Sequence, residues 1–210
     1  MRFITEQFTD EDRAGLDGLL TRFARPGMAA FELGTYTGAS ALVTLRHIQA
    51  MGGRLTCVDW FRGTEDADGT PCNDSYRQDD IRAALVANLE EAGFRSLVTI
   101  VQAKTTDAVL QVPDESIDFL FVDANHTYTA VMEDLRLWSP KVRRGGLMCG
   151  HDFERHARDC DHVEMIKHCE TDCVTDRWDG VDRHYGVIRA VSKTFPAVQR
   201  VGRIWWIVKD

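Results

Sequence analysis

The chain has 210 residues, with 33 acidic side chains against 25 Lys and Arg and a formal net charge of −8 at pH 7. Hydrophobic residues make up 44% of it, which suits a globular core and excludes a disordered chain. A length of this order favours one domain. The acidic balance argues against a nucleic-acid partner, because proteins that bind nucleic acids carry a basic surface.

The sequence gives no sign of a membrane partner. No apolar run approaches the roughly 18 residues that a spanning helix needs. The segment from Met1 to Glu6 contains no apolar stretch of signal-peptide length. We therefore expect a soluble, cytoplasmic protein, in which the cysteines of the polar segments, Cys72, Cys160, Cys169 and Cys173, are reduced thiols. Cys57 and Cys149 lie in apolar runs and are predicted to belong to the core.

Strand and helix patterns alternate along the chain. Thr9 followed by three acids predicts a helix start, and residues 1–27 are interpreted as an N-terminal helical segment that ends at Pro26-Gly27. Short apolar runs predict strands at 28–33, 55–58, 97–101, 117–122, 147–149 and 204–208. Apolar residues at helical spacing predict further helices around 41–48, 81–92, 131–142 and 187–195.

Two polar segments, 61–78 and 153–182, interrupt this alternation. Long loops in compact domains are commonly lids or binding loops, so we interpret both as insertions over the active site of a single domain, 1–210. The second segment is rich in cysteine and histidine, which leaves a zinc site open as an alternative to a solvated loop. The residues concerned are Cys160, His162, His168, Cys169 and Cys173.

Strands that alternate with helices predict a parallel sheet with helices on both faces. In such sheets the ligand binds beyond the carboxyl ends of the strands. Polar segments follow four of the predicted strands. They are Glu32–Gly38, Asp59–Phe61, Asp123–His126 and Gly150–Asp152. We expect the site where these segments meet.

The first segment joins a buried strand to the next helix. Gly34 permits a sharp turn close to a ligand, and Gly38 lies where the N–H groups of the helix are free. The spacing is neither Gly-x-Gly-x-x-Gly nor a Walker loop, which disfavours a pyrophosphate ligand. Glu32, at the end of the strand, suits a ligand with an ammonium group. A plain strand–turn–helix connection is the alternative.

The second segment begins with an acid at the end of a strand. A carboxylate at the position of Asp59 can accept hydrogen bonds from both hydroxyls of a ribose. The rings of Trp60 and Phe61 could pack on a purine. A loop or capping aspartate beside core aromatics is the alternative, and the preceding glycine loop favours the nucleoside interpretation.

Taken together, these motifs resemble class I S-adenosylmethionine (SAM)-dependent methyltransferases. The motifs are Glu32-x-Gly34-x-x-x-Gly38, Val58-Asp59-Trp60 and the run from Ile117 to His126. Later residues narrow the resemblance to small metal-dependent O-methyltransferases that modify natural products and sugars. These are Tyr128, Asp134, Leu137, Trp138, Pro140, Gly145, Gly146, His151, Asp152, Tyr185–Val187, Ala190 and Val191.

The resemblance implies a Rossmann-like, doubly wound, mostly parallel seven-stranded α/β sheet with helices on both faces. It implies methyl transfer from SAM to a hydroxyl oxygen of a small molecule, assisted by a divalent cation. The implied cofactor contacts are Glu32, Gly34, Thr35, Tyr36, Gly38, Asp59, Trp60 and Asp123. Where the family places Gly-Asp and a small residue after the third strand, this chain has Ala103-Lys104-Thr105.

A metal site and a general base are expected at the ends of the fourth and fifth strands. The resemblance implies a divalent ion there, and we expect Asp123, His151 and Asp152 to hold it. Mg²⁺ prefers oxygen ligands, whereas an imidazole favours Mn²⁺ or Fe²⁺. His126 or His151 is expected to be the catalytic base, and His126 is left if His151 binds the metal. Capping and loop roles are the alternatives.

Two other functions stay open at this point. One is an NAD(P)-type oxidoreductase on a similar sheet, which the missing Gly-x-Gly-x-x-Gly disfavours. The other is a non-catalytic SAM- or zinc-binding interaction module. Sugar, polyketide, peptide and catechol-like hydroxyls all remain open as acceptors, because acceptor choice depends on loops and not on the fold. A homo-oligomer is also open.

Overall fold

The structure is a computed structural model that describes residues 8–63 and 78–210. The first seven residues, most of the predicted 61–78 loop and Cys72 therefore lie outside the described residues. The helices are α1 (Asp10–Phe23), α2 (Ala39–Met51), α3 (Gln78–Glu91), α4 (Thr105–Ala108), α5 (Tyr128–Trp138), α6 (His162–His168) and α7 (Tyr185–Thr194). Across the described ranges, none of the helices combines the length and apolar character needed to cross a membrane.

The strands alternate with these helices. They are β1 (Ala29–Leu33), β2 (Arg54–Val58), β3 (Val98–Val101), β4 (Ile117–Val122), β5 (Val142–Gly150), β6 (Val174–Thr175), β7 (Asp182–Arg183), β8 (Gln199–Val201) and β9 (Ile204–Val208). Seven of them form one sheet in the order β3-β2-β1-β4-β5-β9-β8, and β6 pairs with β7 separately. The first five strands of that order pair in parallel, while β9 runs antiparallel to both β5 and β8. The predicted mostly parallel seven-stranded sheet is confirmed.

The strand order reverses beside β1. β1 pairs with β2 on one side and with β4 on the other, so the chain builds the sheet outward in two directions from this point. Because of this reversal the helices that follow the two central strands, α2 and α5, cover opposite faces of the sheet, and a crevice opens above the carboxyl ends of these strands. The ends of β1 and β4 are Leu33 and Val122, and the predicted site segments follow both of them.

The two faces of the sheet carry separate hydrophobic cores. On one face, Leu16, Leu45 and Leu85 of α1, α2 and α3 are fully buried. On the other face, Leu135 of α5 and Val191 of α7 pack against the sheet. The central strand β4 contributes Phe119 and Phe121 to one core and Leu120 and Val122 to the other, which is why its sequence is apolar at every position except Asp118. Cys57 and Cys149 are fully buried, as predicted.

The 153–182 segment contains regular structure that its sequence pattern did not predict. It holds α6 and the first strand of the β6–β7 hairpin. Polar contacts fix this region: Asp179 accepts from Arg155 at 2.7 Å and from Arg183 at 2.6 Å. The hydroxyl of Tyr185 donates to Asp176 at 3.0 Å. Ion pairs and hydrogen bonds of this kind leave no apolar period in a sequence.

The loops after β1 and β4 are in backbone contact at Gly34. The amide of Gly34 donates to the carbonyl of Val58, and the amide of Asp123 donates to the carbonyl of Leu33, both at 2.8 Å. Gly34 has a positive φ of 77°, and a Cβ there would overlap the carbonyl oxygen of Asp123. The position therefore requires glycine for two independent reasons.

We expect Gly34→Ala to lower the free energy of unfolding by about 3 kcal/mol, because the new methyl group meets backbone atoms and the left-handed conformation penalises it further. The matched control is Gly18→Ala in α1, where a Cβ would meet no atom within 4 Å. That control should gain roughly 0.5–1 kcal/mol. Urea unfolding followed by circular dichroism measures both, and similar stabilities for the two variants would contradict the prediction.

Candidate active site

A cavity of about 620 Å³ lies above the carboxyl ends of the central strands. Its volume is typical of a site for a small molecule or cofactor. Most of the predicted site residues are in its wall. They are Gly34, Thr35, Tyr36, Asp59, Trp60, Asp123, His126, His151 and Asp152. The other two, Glu32 and Gly38, lie behind the wall, where they support the loop between β1 and α2.

Glu32 is a fully buried carboxyl at the end of β1. Its Oε1 accepts a hydrogen bond from the Ser40 hydroxyl at 2.6 Å, which ties the strand to the first turn of α2. Its Oε2 is buried and has no hydrogen-bond partner among the described residues. Burial raises the pKa of Glu32 to about 8, and the charges of Asp123 and Asp59 add to this effect while Ser40 opposes it. A contact of Glu32 with a ligand remains a prediction.

Asp59 joins the loop after β1 to the end of β2. Its Oδ2 accepts from the amide of Tyr36 and its Oδ1 from the amide of Phe61, both at 2.7 Å. Burial raises the pKa of Asp59, and these backbone donors oppose that rise. Tyr36 and Phe61 adopt left-handed φ values of 51° and 59°. Strained non-glycine backbone of this kind is typical of functional sites.

Next to Asp59, the wall is formed by Trp60 and by the residues after β3. The indole Nε1 of Trp60 donates to the carbonyl of Gly63 at 2.7 Å. The Lys104 ammonium lies 4.6 Å from the centre of the Trp60 ring, a cation–π contact. Thr105 hydrogen-bonds to Asp134 of α5, and burial raises the pKa of that carboxyl to about 7. Both Thr105 and Asp134 are in the cavity wall.

Imidazole and carboxylate groups from the ends of β4 and β5 converge in another part of the wall. His151 Nδ1 lies 3.1 Å from Asp152 Oδ1 and 3.8 Å from Asp123 Oδ1. His126 Nε2 lies 3.4 Å from Asp152 Oδ2 and 3.5 Å from Asp123 Oδ1. Both rings therefore direct one nitrogen toward the same two carboxylates. The other nitrogen of His126, Nδ1, is 2.9 Å from Asp172.

His184 also belongs to this cluster, and the sequence analysis missed it. Its Nδ1 lies 2.7 Å from Glu154 Oε1 and 3.6 Å from Asp152 Oδ1. Its ring meets the ring of His126 edge-on, with 4.9 Å between centres. The available signal was its position directly before the Tyr185–Val187 motif, which the resemblance had already singled out.

An ion pair between two residues that are distant in the sequence, Asp12 and Arg203, contacts His151. Asp12 of α1 is buried, and its Oδ2 lies 3.2 Å from His151 Nε2 and 2.6 Å from Arg203 Nη2. Burial alone would raise the pKa of Asp12, but the hydrogen bonds from His151 and Arg203 outweigh it and hold that pKa well below its usual range. The sequence showed Asp12 only as an acid in the first turn of a helix.

The imidazoles and carboxylates of the cluster shift one another's pKa values. Burial opposes protonation of His151, but Asp152 and Asp123 outweigh it and raise its pKa to about 10. Burial also opposes protonation of His184, but the charge of Asp152 and the hydrogen bonds that the His184 ring donates to Cys173 and Glu154 outweigh it and raise its pKa to about 10. Burial also works against the ionised form of Asp152, and the neighbouring histidines hold its pKa well below its usual range. A cation bound here would compete with the protons on these imidazoles.

Two overlapping groups of side chains have ligand atoms that lie within 4.8 Å of one another, close enough for one metal ion. They are Asp123, His151 and Asp152, and His126, Asp152 and His184. The first is the predicted metal set. Within the part of the chain that the structure describes, neither group contains a cysteine. Cys169 instead accepts a hydrogen bond from Arg189 at 2.9 Å, so the zinc alternative gains no support from this geometry.

A family model described as a methyltransferase domain matches residues 31–153, more than half of the chain. The match begins within β1 and ends just after Asp152, so it includes the ends of all the parallel strands. The chain belongs to this family of methyltransferase domains.

Solved structures share the fold at low sequence identity. The O-methyltransferase from Bacillus cereus in complex with SAH is 20% identical, with a TM-score of 0.60 over 96% of this chain and 82% of that chain. TomG from Streptomyces achromogenes, an O-methyltransferase involved in tomaymycin synthesis and solved with SAM, is 17% identical, with a TM-score of 0.59 over 94% and 79%. At these identities the likeness shows the fold.

A curated relative, the uncharacterized protein y4gI of Sinorhizobium fredii, is 25% identical over 179 residues. The match takes in 83% of this chain and 17% of the relative. The chain therefore spans about a sixth of the length of that protein.

The buried Glu32 predicts a pH-dependent stability. The unfolded chain ionises this carboxyl near pH 4.5 and the folded chain near pH 8, so its stabilising contribution is complete below pH 4.5 and is lost as the pH rises through 8. We expect Glu32→Gln to gain stability relative to the unmodified protein across this window, by up to about 1.4 kcal/mol per pH unit.

Urea unfolding at several pH values between 4.5 and 8 measures the difference. Glu90→Gln, at an exposed position of α3, is the matched control and should show no such trend. A pH-independent difference between Glu32→Gln and the unmodified protein would contradict the assignment.

Proposed function

We propose that this methyltransferase domain transfers a methyl group from SAM to a hydroxyl oxygen of a small molecule. One observation carries the proposal: a single cavity joins a nucleoside-type wall, with Asp59 and Trp60, to a cluster of imidazoles and carboxylates suited to an ion and a proton acceptor. The similar fold of TomG and of the Bacillus cereus enzyme, O-methyltransferases solved with SAM and SAH respectively, supports this choice.

The cofactor would lie along the loop after β1. The backbone of Gly34 and Thr35 would hold its methionine part, and Asp59 would accept hydrogen bonds from the ribose. The amides of Tyr36 and Phe61 each donate to one carboxylate oxygen of Asp59, and the backbone of Thr35 also donates to this carboxylate. A carboxylate has about four acceptor positions, so one remains for a ribose hydroxyl. The three backbone donors also fix the orientation of this carboxylate before any ligand binds. Trp60 would border the adenine.

The side chains at the proposed cation site have the donor atoms that a divalent cation needs. Asp123 and Asp152 supply carboxylate oxygens and His151 supplies an imidazole, and this mixed set accommodates Mn²⁺ as well as Mg²⁺. When bound, the cation would lower the pKa of the acceptor hydroxyl and offset the carboxylate charge that keeps the neighbouring imidazoles protonated.

His126 is the better candidate of the two for the catalytic base. Its Nδ1 is held by Asp172, an arrangement that orients the ring and leaves Nε2 for the acceptor, as in other histidine–aspartate pairs. Nε2 faces the carboxylates of Asp123 and Asp152. Burial opposes protonation of His126, but these carboxylates and Asp172 outweigh it and raise its pKa well above the usual range, so His126 would act as a base once a bound cation offsets their charge. His151, by contrast, is packed between Asp12 and Asp152 and is nearly inaccessible. In this proposal His126 accepts the hydroxyl proton and His151 helps to bind the cation.

The cofactor assignment is tested by thermal unfolding with SAH, alone and with Mg²⁺ or Mn²⁺, and with NAD as the control. SAH at about 100 times its dissociation constant should stabilise the fold by roughly 2.7 kcal/mol, a shift of roughly 5–10 °C for a chain of this size. The shift should grow when metal is added. A shift with NAD and none with SAH would overturn the assignment.

The base is tested with His126→Asn. We expect the methyl-transfer rate to fall roughly 10²- to 10⁴-fold while SAH affinity stays within about twofold, because the base acts on the acceptor and not on the cofactor. The rate is measured as SAH release over a panel of hydroxylated acceptors. His47→Asn, which removes a histidine paired with Asp17 outside the cavity, is the control. An unchanged rate in His126→Asn would exclude His126 as the base.

A further inference from the structure

Two histidines and one aspartate form a compact set in the wall of the cavity. His126 follows β4, Asp152 follows β5, and His184 directly precedes α7. Each supplies one ligand atom that lies within 4.8 Å of the other two. Asp152 lies between the two rings, with its Oδ2 3.4 Å from His126 Nε2 and its Oδ1 3.6 Å from His184 Nδ1. Atoms bound to one metal ion at about 2.0–2.2 Å are roughly 3–3.5 Å apart, so a small adjustment brings this set onto an ion.

A second layer of carboxylates orients both rings. Asp172 Oδ1 lies 2.9 Å from His126 Nδ1, which leaves Nε2 of that ring directed toward Asp152. Glu154 contacts His184 twice: its Oε1 lies 2.7 Å from the ring Nδ1, and its Oε2 accepts the backbone amide at 3.3 Å. In the metal centres of proteins, a carboxylate outside the coordination sphere commonly orients each ligating imidazole in this way. The arrangement therefore has both layers of a metal centre.

The donor atoms distinguish this set from the proposed cation site. Asp123, His151 and Asp152 offer two carboxylates and one imidazole, which suits Mg²⁺ or Mn²⁺. The set of His126, Asp152 and His184 reverses that ratio. Mg²⁺ binds oxygen ligands and keeps several waters, whereas two imidazoles and one carboxylate favour an ion such as Zn²⁺, Fe²⁺ or Co²⁺.

We propose that His126, Asp152 and His184 form a second metal site, selective for an imidazole-preferring ion such as Zn²⁺, and that an ion bound there stops methyl transfer. The ion takes up the lone pair of His126 Nε2, which in the proposed function accepts the proton of the acceptor hydroxyl. Metal binding at this site is independent of the proposed function, and the inhibition rests on it. One cavity would then bind an ion that supports catalysis and an ion that blocks it at adjacent sets of side chains.

This site differs from the zinc centre that the cysteine-rich segment suggested. His162 and His168 of α6 lie outside the cavity wall, and His168 Nε2 is 3.5 Å from Glu164. Among the described residues, no cysteine joins a group of potential metal ligands. The second imidazole comes instead from His184, at the start of the last helix.

The first test counts imidazole ligands. Zn²⁺ is added to the unmodified protein and its X-ray absorption spectrum is recorded, because coordinated imidazoles scatter in a characteristic pattern. We expect two imidazoles per ion in the unmodified protein and one in His184→Asn, whose amide keeps a donor for Glu154. One imidazole per ion in the unmodified protein, the number that Asp123, His151 and Asp152 supply, would overturn the inference, and so would an absence of Zn²⁺ binding.

Calorimetry with Zn²⁺ measures the affinity of the same proteins. Glu154→Gln weakens only the orientation of His184 and should lower the Zn²⁺ affinity roughly 10- to 100-fold, and His184→Asn should lower it at least as far. The matched control is His168→Asn, which removes an imidazole outside the cavity and should keep both the affinity and the imidazole count. Equal affinities in all of these proteins contradict the site. Should His184→Asn not fold, Glu154→Gln decides.

Inhibition is measured as SAH release with Mg²⁺ present throughout. Saturating Zn²⁺ should lower the rate of the unmodified protein roughly 10²- to 10⁴-fold, the loss expected when a general base is removed. An unchanged rate while two imidazoles bind the ion would overturn the inhibitory role. If the protein neither binds SAH nor transfers a methyl group, the proposed function falls, and the imidazole count still decides on the metal site.

Discussion

The backbones of two loops meet at Gly34, and the geometry of the cavity depends on that contact. The hydrogen bonds from Gly34 to Val58 and from Asp123 to Leu33 bring the ends of β1, β2 and β4 to one level. Side chains that lie far apart in the sequence therefore face a common space. No other residue type fits at this position, because a side chain would push the loop after β4 away from the loop after β1.

The cavity also shows how buried charge is tolerated. Asp123 and Asp152 lie close together, and the neighbouring imidazoles and Arg203 place positive charge beside them. Such a cluster is a poor source of stability, since desolvation offsets much of the attraction. In the proposed function this cluster exchanges its protons for a bound cation.

Sequence reasoning succeeded where one local signal determines the structure. The predicted strands at 117–122 and 204–208 match β4 and β9 residue for residue, because most of their residues are buried and apolar. It also placed Asp123 and Asp152 in neighbouring loops, from the rule for parallel strands. It failed for the β6–β7 hairpin and for His184, because these depend on pairings of polar side chains between elements. Such pairings have no period and no fixed spacing.

Asp12 and Arg203 are 191 positions apart and meet directly behind His151. The first helix and the turn between the last two strands therefore contact each other beside the cavity and not at a remote edge of the sheet. Fraying of either end would withdraw a partner from His151 before it disturbed the hydrophobic cores. A circular permutation or a fusion that pulls these two segments apart would therefore displace the His151 imidazole before it lowered the melting temperature of the domain.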